Sequence, residues 1–256
     1  MTARNWSSAA GSDRGRVRSG NEDSLLHLPD DGLFAVADGM GGHAAGEVAS
    51  RLAVEAVEDS LSDDGSPPPA DRMVEAVREA NRRILRDADE HPGRSGMGTT
   101  LTALALGAGR RWRIGHVGDS RAYLFRDGEL RQLTTDHSWV GRRVAAGELT
   151  KEEARRHPMS SVLERALGTS RRVEVDVEEG RARPGDLFLL CSDGLTDMLP
   201  DAELESMLSE AVDGPAGEGE PPADRDVEEL VDRLVSAANR AGGEDNVTVV
   251  LVRVSG

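Results

Sequence analysis

Apolar positions change their spacing several times along the chain. Residues 33–37 (LFAVA) form a short apolar run of strand length. A helical stripe follows, in which Ala45, Val48, Ala49, Leu52, Ala53, Ala56, Val57 and Leu61 recur at intervals of mainly three and four. Met73, Val77, Ala80, Ile84 and Ala88 make a second stripe. Residues 99–106, 111–117 and 121–125 then read as strands, and so do 24–28, 173–177, 187–191 and 247–254. The Asp127-Gly128 pair, between 121–125 and 129–133, is the signal for a two-residue hairpin turn. Residues 138–156 are charged and predict short helices or an irregular excursion. Val227, Leu230, Val231, Leu234, Val235 and Ala238 form the last helical stripe. Hairpins dominate the strand pairing and helices come in consecutive pairs. This predicts antiparallel sheets with helices layered on them, not a doubly wound parallel sheet.

Two stretches interrupt the pattern, 62–70 (rich in Pro and Asp) and 213–224 (Pro, Gly and acid). Neither separates two cores, and no repeat is evident, so residues 1–256 read as one domain with two surface loops.

Composition narrows the chemistry. Acids outnumber bases 47 to 31, giving a net charge of -16, which disfavours nucleic acid as a partner. Lys151 is the only lysine, so no Gly-rich loop ends in the lysine of a Walker nucleotide site. Lys151 sits in a polar stretch and is expected to be solvated. A single cysteine, Cys191, excludes a disulfide framework or a zinc ribbon, and points to a reducing, cytoplasmic setting. No apolar run is long enough to span a membrane.

Three apolar strands end in an acid at a turn: Asp38-Gly39, Asp119-Ser120 and Asp193-Gly194. Asp245 precedes the final strand, and Asn21-Glu22-Asp23 precedes strand 24–28. Any one of these could be an ordinary turn or helix cap. Together they would gather at one edge of a layered protein, where a like-charged pair at about 4 Å costs up to ~4 kcal/mol at an effective dielectric of 20. Protonation or bound cations would relieve that, and oxygen ligands without Cys select Mg²⁺ or Mn²⁺ over Zn²⁺. The stretch from Gly39 to Ala44 also matches a dinucleotide-binding loop. A Pro-rich loop and a second helix follow it where that fold needs a parallel strand.

Six motifs in order now bear on the family. They are SDRGRVRSGNEDS (12–24), VADGMGGHAAGE (36–47), GMGTTLT (96–102), HVGDSRAYL (116–124), CSDGLTD (191–197) and GGEDNVTVV (242–250). Over residues 8–254 the chain resembles the bacterial branch of the metal-dependent PP2C-type (PPM) protein Ser/Thr phosphatases. The resemblance implies an α+β fold: a layered α/β/β/α sandwich with two central, mainly antiparallel β-sheets flanked by helix pairs. It implies hydrolysis of phosphoserine and phosphothreonine on proteins, by a water activated between two Mn²⁺ or Mg²⁺ ions.

By the same resemblance Asp38 bridges the two ions and Gly39 offers its carbonyl to one of them. Asp193 and Asp245 complete the first ion's shell, with Asn246 orienting Asp245. Asp119 would hold a third ion, and Glu22 and Asp23 would act through waters. Arg18 would grip the phosphate. Met40 stands where some eukaryotic members carry a histidine acid, which leaves the leaving-group acid open. His43 reads as a polar surface residue, and Glu244 takes a place where Pro is common. Cys191 reads as a small buried apolar residue, since a cysteine-type phosphatase would need Arg at 197, where the chain has Asp. Residues 137–161 correspond to a flap beside the active site. The implied partners are phosphorylated proteins, the Ser/Thr kinases and their substrates, met by a monomer. Two alternatives stay open: a phosphatase dedicated to one partner in a stress sigma-factor switch, and a non-catalytic binding module.

Overall fold

The computed structural model describes residues 5–41, 45–62, 67–213 and 224–255. Its strands are β1 (Trp6–Asp13), β2 (Asp23–Leu28), β3 (Leu33–Met40), β4 (Gly98–Thr99), β5 (Leu101–Gly107), β6 (Arg111–Val117), β7 (Arg121–Arg126), β8 (Glu129–Gln132), β9 (Asp176–Arg181), β10 (Leu187–Cys191) and β11 (Val247–Val254). The helices are α1 (Ala45–Leu61), α2 (Ala70–Glu90), α3 (Trp139–Ala145), α4 (Lys151–Arg155), α5 (Asp193–Thr196), α6 (Asp201–Asp213) and α7 (Asp224–Ala241).

Every strand pair is antiparallel. One sheet runs β1-β11-β10-β7-β8 and the other β2-β3-β5-β6-β9, with β4 paired to β3. The two sheets face each other through Phe34, Val36, Leu104 and Ile114 on one side and Leu124, Phe188, Leu190 and Val250 on the other. Burying each large side chain of this layer contributes on the order of 1.5–3 kcal/mol. α1 and α2 cover the outer face of the second sheet through Ala49, Ala53, Val57, Met73, Val77 and Ile84. α6 and α7 cover the first through Leu204, Leu208, Leu230, Val231 and Leu234. The result is the α/β/β/α sandwich expected of the α+β class.

The hairpin at 127–128 has both residues at positive φ, 54° and 83°, which matches the right-handed twist of β7 and β8. Two expectations are corrected. The strand expected at 173–177 begins later, at Asp176, because Val173 is buried against the α1–α2 layer and the ladder to β6 starts beyond it. β3 continues past residue 37 to Met40, so Asp38 lies within a strand and not in the turn after it. β1 and α6 carry no strong periodic signal: WSSAAGSD is short of large apolar residues, and its register against β11 makes it a strand. His43, most of the 213–224 loop and part of the 62–70 loop lie outside the described residues. Among the described residues no helix is long and apolar enough to cross a membrane.

Candidate active site

Antiparallel alternation sends one end of every second strand to the same edge. β3, β6 and β10 end there, while β2 and β11 begin there. The edge therefore collects Asp23, Asp38, Asp119, Asp193 and Asp245. Asp23 and Asp38 are direct register partners. Asp193 opens α5 after β10.

The backbone around Asp38 is held on both sides. Its N–H donates to Thr100 Oγ1 at 2.9 Å, and its carbonyl accepts from Thr99 Oγ1 at 2.8 Å and from the Thr100 N–H at 2.9 Å. Thr100 Oγ1 lies 2.6 Å from Ser120 Oγ, which ties this strand to the residue after Asp119. A Cβ at Gly39 would overlap the Gly46 and Glu22 carbonyls, so position 39 must be glycine for β3 to approach α1. The Glu22 carbonyl accepts from Gly39 N–H at 3.2 Å and from Ser50 Oγ at 2.6 Å.

Asn246 reaches Asp245 through its backbone and other neighbours through its side chain. Its backbone N–H donates to Asp245 Oδ1 at 2.8 Å. Its side chain instead clamps the 14–22 loop: Oδ1 accepts from Glu22 N–H, and Nδ2 donates to the Arg14 and Gly20 carbonyls. That loop presents Arg18, whose guanidinium donates to Asp245 Oδ2 at 2.5 Å.

Burial sets the electrostatics. It raises Asp38 well above the ordinary carboxyl range, and Asp193, Asp23 and Asp119 push it further. Burial, then the charge of Asp245, pushes Asp193 up to about 6. Burial also pushes Asp23 up to about 6 and raises Asp119 well above its ordinary value. Asp23 Oδ1 and Asp193 Oδ1 are buried and accept no hydrogen bond. Such orphaned oxygens are costly unless something binds them.

Asp38, Asp119, Asp193 and Asp245 line a cleft of about 390 Å³, shared with Arg18, Glu22, Gly39, Met40 and Asn246. Ser161 and Leu163 close its far wall. A second recess of about 450 Å³ lies beneath α3 and α4 and meets the first at Asp119 and Asp193. The segment expected as a flap thus forms two short helices over this recess. His137, at its start, accepts from the Gly118 N–H through Nδ1 at 3.0 Å and fastens the flap to the Asp119 turn.

Two residues at the site carry no sequence expectation of a role. Asp197, exposed at its surface, lies one helical turn beyond Asp193, and desolvation of its carboxyl followed by the charge of Asp193 pushes it up to about 7. Arg121 lies two residues after Asp119. It donates to both oxygens of Asp136 at 2.7–3.0 Å and lowers Asp119, Asp193 and Asp197 against their burial. The i, i+4 spacing of Asp193 and Asp197 on one helix face was the available signal for the first. The position next to a site motif was the only one for the second.

Among the described residues no three His, Cys, Asp or Glu side chains form a finished metal cage. Asp245 is engaged by Arg18. Convergent carboxylates in an open cleft, Asp193 among them with an unsatisfied oxygen, are nonetheless the donor set that hard divalent ions take.

Residues 10–234 match the family described as Protein phosphatase 2C. The chain belongs to the PP2C family. It is 46% identical over 246 residues to the serine/threonine protein phosphatase PstP of Mycobacterium tuberculosis, covering 96% of this chain and 44% of that protein. The chain thus spans about half the length of this PP2C relative. It is 40% identical to the serine/threonine phosphatase stp of Listeria monocytogenes, covering 94% of this chain and 92% of that one. Among solved PP2C structures, the M. tuberculosis PstP/Ppp phosphatase superposes with a TM-score of 0.85 at 43% identity, covering 98% of this chain and 99% of that one. The PstP catalytic domain in complex with two manganese ions superposes with a TM-score of 0.83 at 42% identity, with the same coverage.

Proposed function

We propose that this domain is a metal-dependent protein Ser/Thr phosphatase that hydrolyses phosphoserine and phosphothreonine, opposing bacterial Ser/Thr kinases. One observation carries the reading: Asp38, Asp119, Asp193 and Asp245 converge in one cleft, Asp193 with a buried oxygen that accepts no hydrogen bond, beside an exposed arginine at the rim.

Asp38, the Gly39 carbonyl, Asp193 and Asp245 would hold two Mn²⁺ or Mg²⁺ ions, with Asp119 available to a third and Glu22 and Asp23 reached through water. When bound, such ions offset the charge of the phosphoryl oxygens and make a water acidic enough to attack phosphorus in line. The protein contributes placement. Thr99 and Thr100 fix the Asp38 backbone, so that its carboxylate needs no reorganisation. The Asn246 side chain fixes the loop that carries Arg18. Arg18, now paired with Asp245 at the cleft rim, would meet two phosphoryl oxygens with its planar fork if that carboxylate were engaged by a cation. Cys191 takes no part: it is fully buried, and burial pushes its thiol up to about 12. No residue of the described cleft is a histidine.

The test is hydrolysis of phosphothreonine and phosphoserine peptides, with a small aryl phosphate alongside. Turnover is expected to vanish in chelator and to return with Mn²⁺. Full turnover in strong chelator would reject the reading.

A further inference from the structure

The acidic chain places an arginine-rich groove outside the cleft. Arg78 and Arg82 come from α2, and Arg165, Arg171 and Arg172 from the segment leading into β9. Asn81 sits at the base, 2% exposed. It spends both ends of its amide on this arrangement: Nδ2 donates to the Ser170 carbonyl and Oδ1 accepts from Gly168 N–H. The loop is therefore pinned to the helix, and the groove is built into the fold.

The arginines divide into two sets. Arg82 is paired with Glu75 and Glu79, and Arg165 with Asp176 and Glu174. Arg78, Arg171 and Arg172 are exposed, and none has a carboxylate within 4.0 Å among the described residues. With 47 acids to 31 bases in the chain, three unpaired guanidinium groups around one groove form a local reversal of sign. A phosphoprotein approaching a molecule of net charge -16 is repelled over most of its surface and attracted here.

The groove also lies next to the cleft in the chain. Ser161 and Leu163 form the cleft wall, and Arg165 to Arg172 follow directly. Leu167 exchanges backbone hydrogen bonds with Thr99, the residue whose hydroxyl holds the Asp38 carbonyl. One continuous segment, 161–172, thus contributes to both surfaces.

We infer that the groove of Arg78, Arg171 and Arg172 docks an anionic stretch of the phosphoprotein substrate, near the phosphorylated residue in the cleft. The inference rests on the phosphatase reading for what occupies the cleft. The bound chemistry is a run of carboxylates or an additional phosphoryl group on the same peptide. Exposed charge pairs of this kind act on encounter and KM, are weakened by salt, and leave the chemical step alone.

The experiment compares three phosphothreonine peptides: one with a neutral flank, one with a glutamate flank, and one with a second phosphothreonine in the flank. Each is tested on the wild-type protein and on Arg78→Gln/Arg171→Gln/Arg172→Gln. The wild type is expected to favour at least one anionic flank by roughly tenfold in kcat/KM, carried by KM and reduced by salt. The arm that gains identifies the source of the charge. The triple variant is expected to lose that preference while keeping aryl phosphate turnover. The single exposed variant Arg171→Glu is expected to reduce the preference even if the triple variant folds poorly. Absence of any flank preference in the wild type, or its survival in both variants, would overturn the inference. Fluorescence anisotropy of the unphosphorylated glutamate peptide reads the groove without catalysis. Loss of all hydrolysis with retained, arginine-dependent peptide binding would therefore reject the phosphatase reading alone.

Discussion

Two buried groups of charge lie side by side in this molecule and differ in one respect. Arg121 and Asp136 are both largely buried and meet through several hydrogen bonds, with Tyr123, Gln132 and Asp201 completing the network. Asp38, Asp119 and Asp193 are also half-buried, but like faces like, and Asp193 Oδ1 is left with no hydrogen bond. The first group closes its own electrostatics and fixes the fold. The second is left open at a cleft, and its cost is offset by protonation or by a ligand of opposite charge. A buried charge with all its partners present is architecture, whereas one without them is a site.

The largest expected effect comes from removing the open group. Asp38→Ala or Asp193→Ala should lower kcat by about 10³-fold or more, while the metal-free protein is no less stable, because an unsatisfied charge has gone. Steady-state kinetics with a thermal melt in chelator checks both halves.

Breaking the closed group should do the reverse. Arg121→Met leaves Asp136 buried and unpaired, and should destabilise the fold by about 3–5 kcal/mol in denaturant titration. A loss of activity with unchanged stability would blur the contrast.

Cation binding should sharpen it. Mn²⁺ at 100 times its Kd should add about 2.7 kcal/mol of stability, seen as a rise in Tm that Asp193→Ala lacks.

The smallest effect is on pH. Asp23 and Asp193 ionise at about 6 and Asp197 at about 7 when folded, each above the ordinary value of 3.8, and Asp38 and Asp119 are raised as well. Across that window the folded chain holds more protons than the unfolded one. These carboxyls therefore favour the fold most fully below about pH 4, and that contribution is lost as pH rises through 6 to 7. His116, buried and pushed down to about 4, opposes this by favouring unfolding below pH 6.5. The acids outnumber it, so metal-free Tm should rise as pH falls from 7.5 to 5.5, and bound Mn²⁺ should flatten the profile.

The acids of the site were readable in the sequence because each sits at or beside the end of an apolar strand, and antiparallel alternation sends those ends to one edge. The helical stripes and the Asp127-Gly128 hairpin were readable for the same local reason. β1 was not, since its strand state comes from pairing with β11 across the length of the chain. Nor was the part played by Arg121, because burial and partners 15 and 80 residues on, at Asp136 and Asp201, define it. Asn246 was legible as a member of the site, but which of its neighbours the amide would reach depended on how the 14–22 loop folds over it. Lys151, expected to be solvated, is half exposed yet pairs with Asp201 at 2.5 Å, a contact between the flap and α6 that its polar neighbours do not reveal.

The most direct measurement is a calorimetric titration of metal-free protein with Mn²⁺ near neutral pH, in two buffers of different ionisation enthalpy. Binding that releases protons, and that is lost in Asp38→Asn, is the predicted result. Absence of binding at millimolar Mn²⁺, or binding untouched by that substitution, would contradict the assignment of the acidic edge as a cation site.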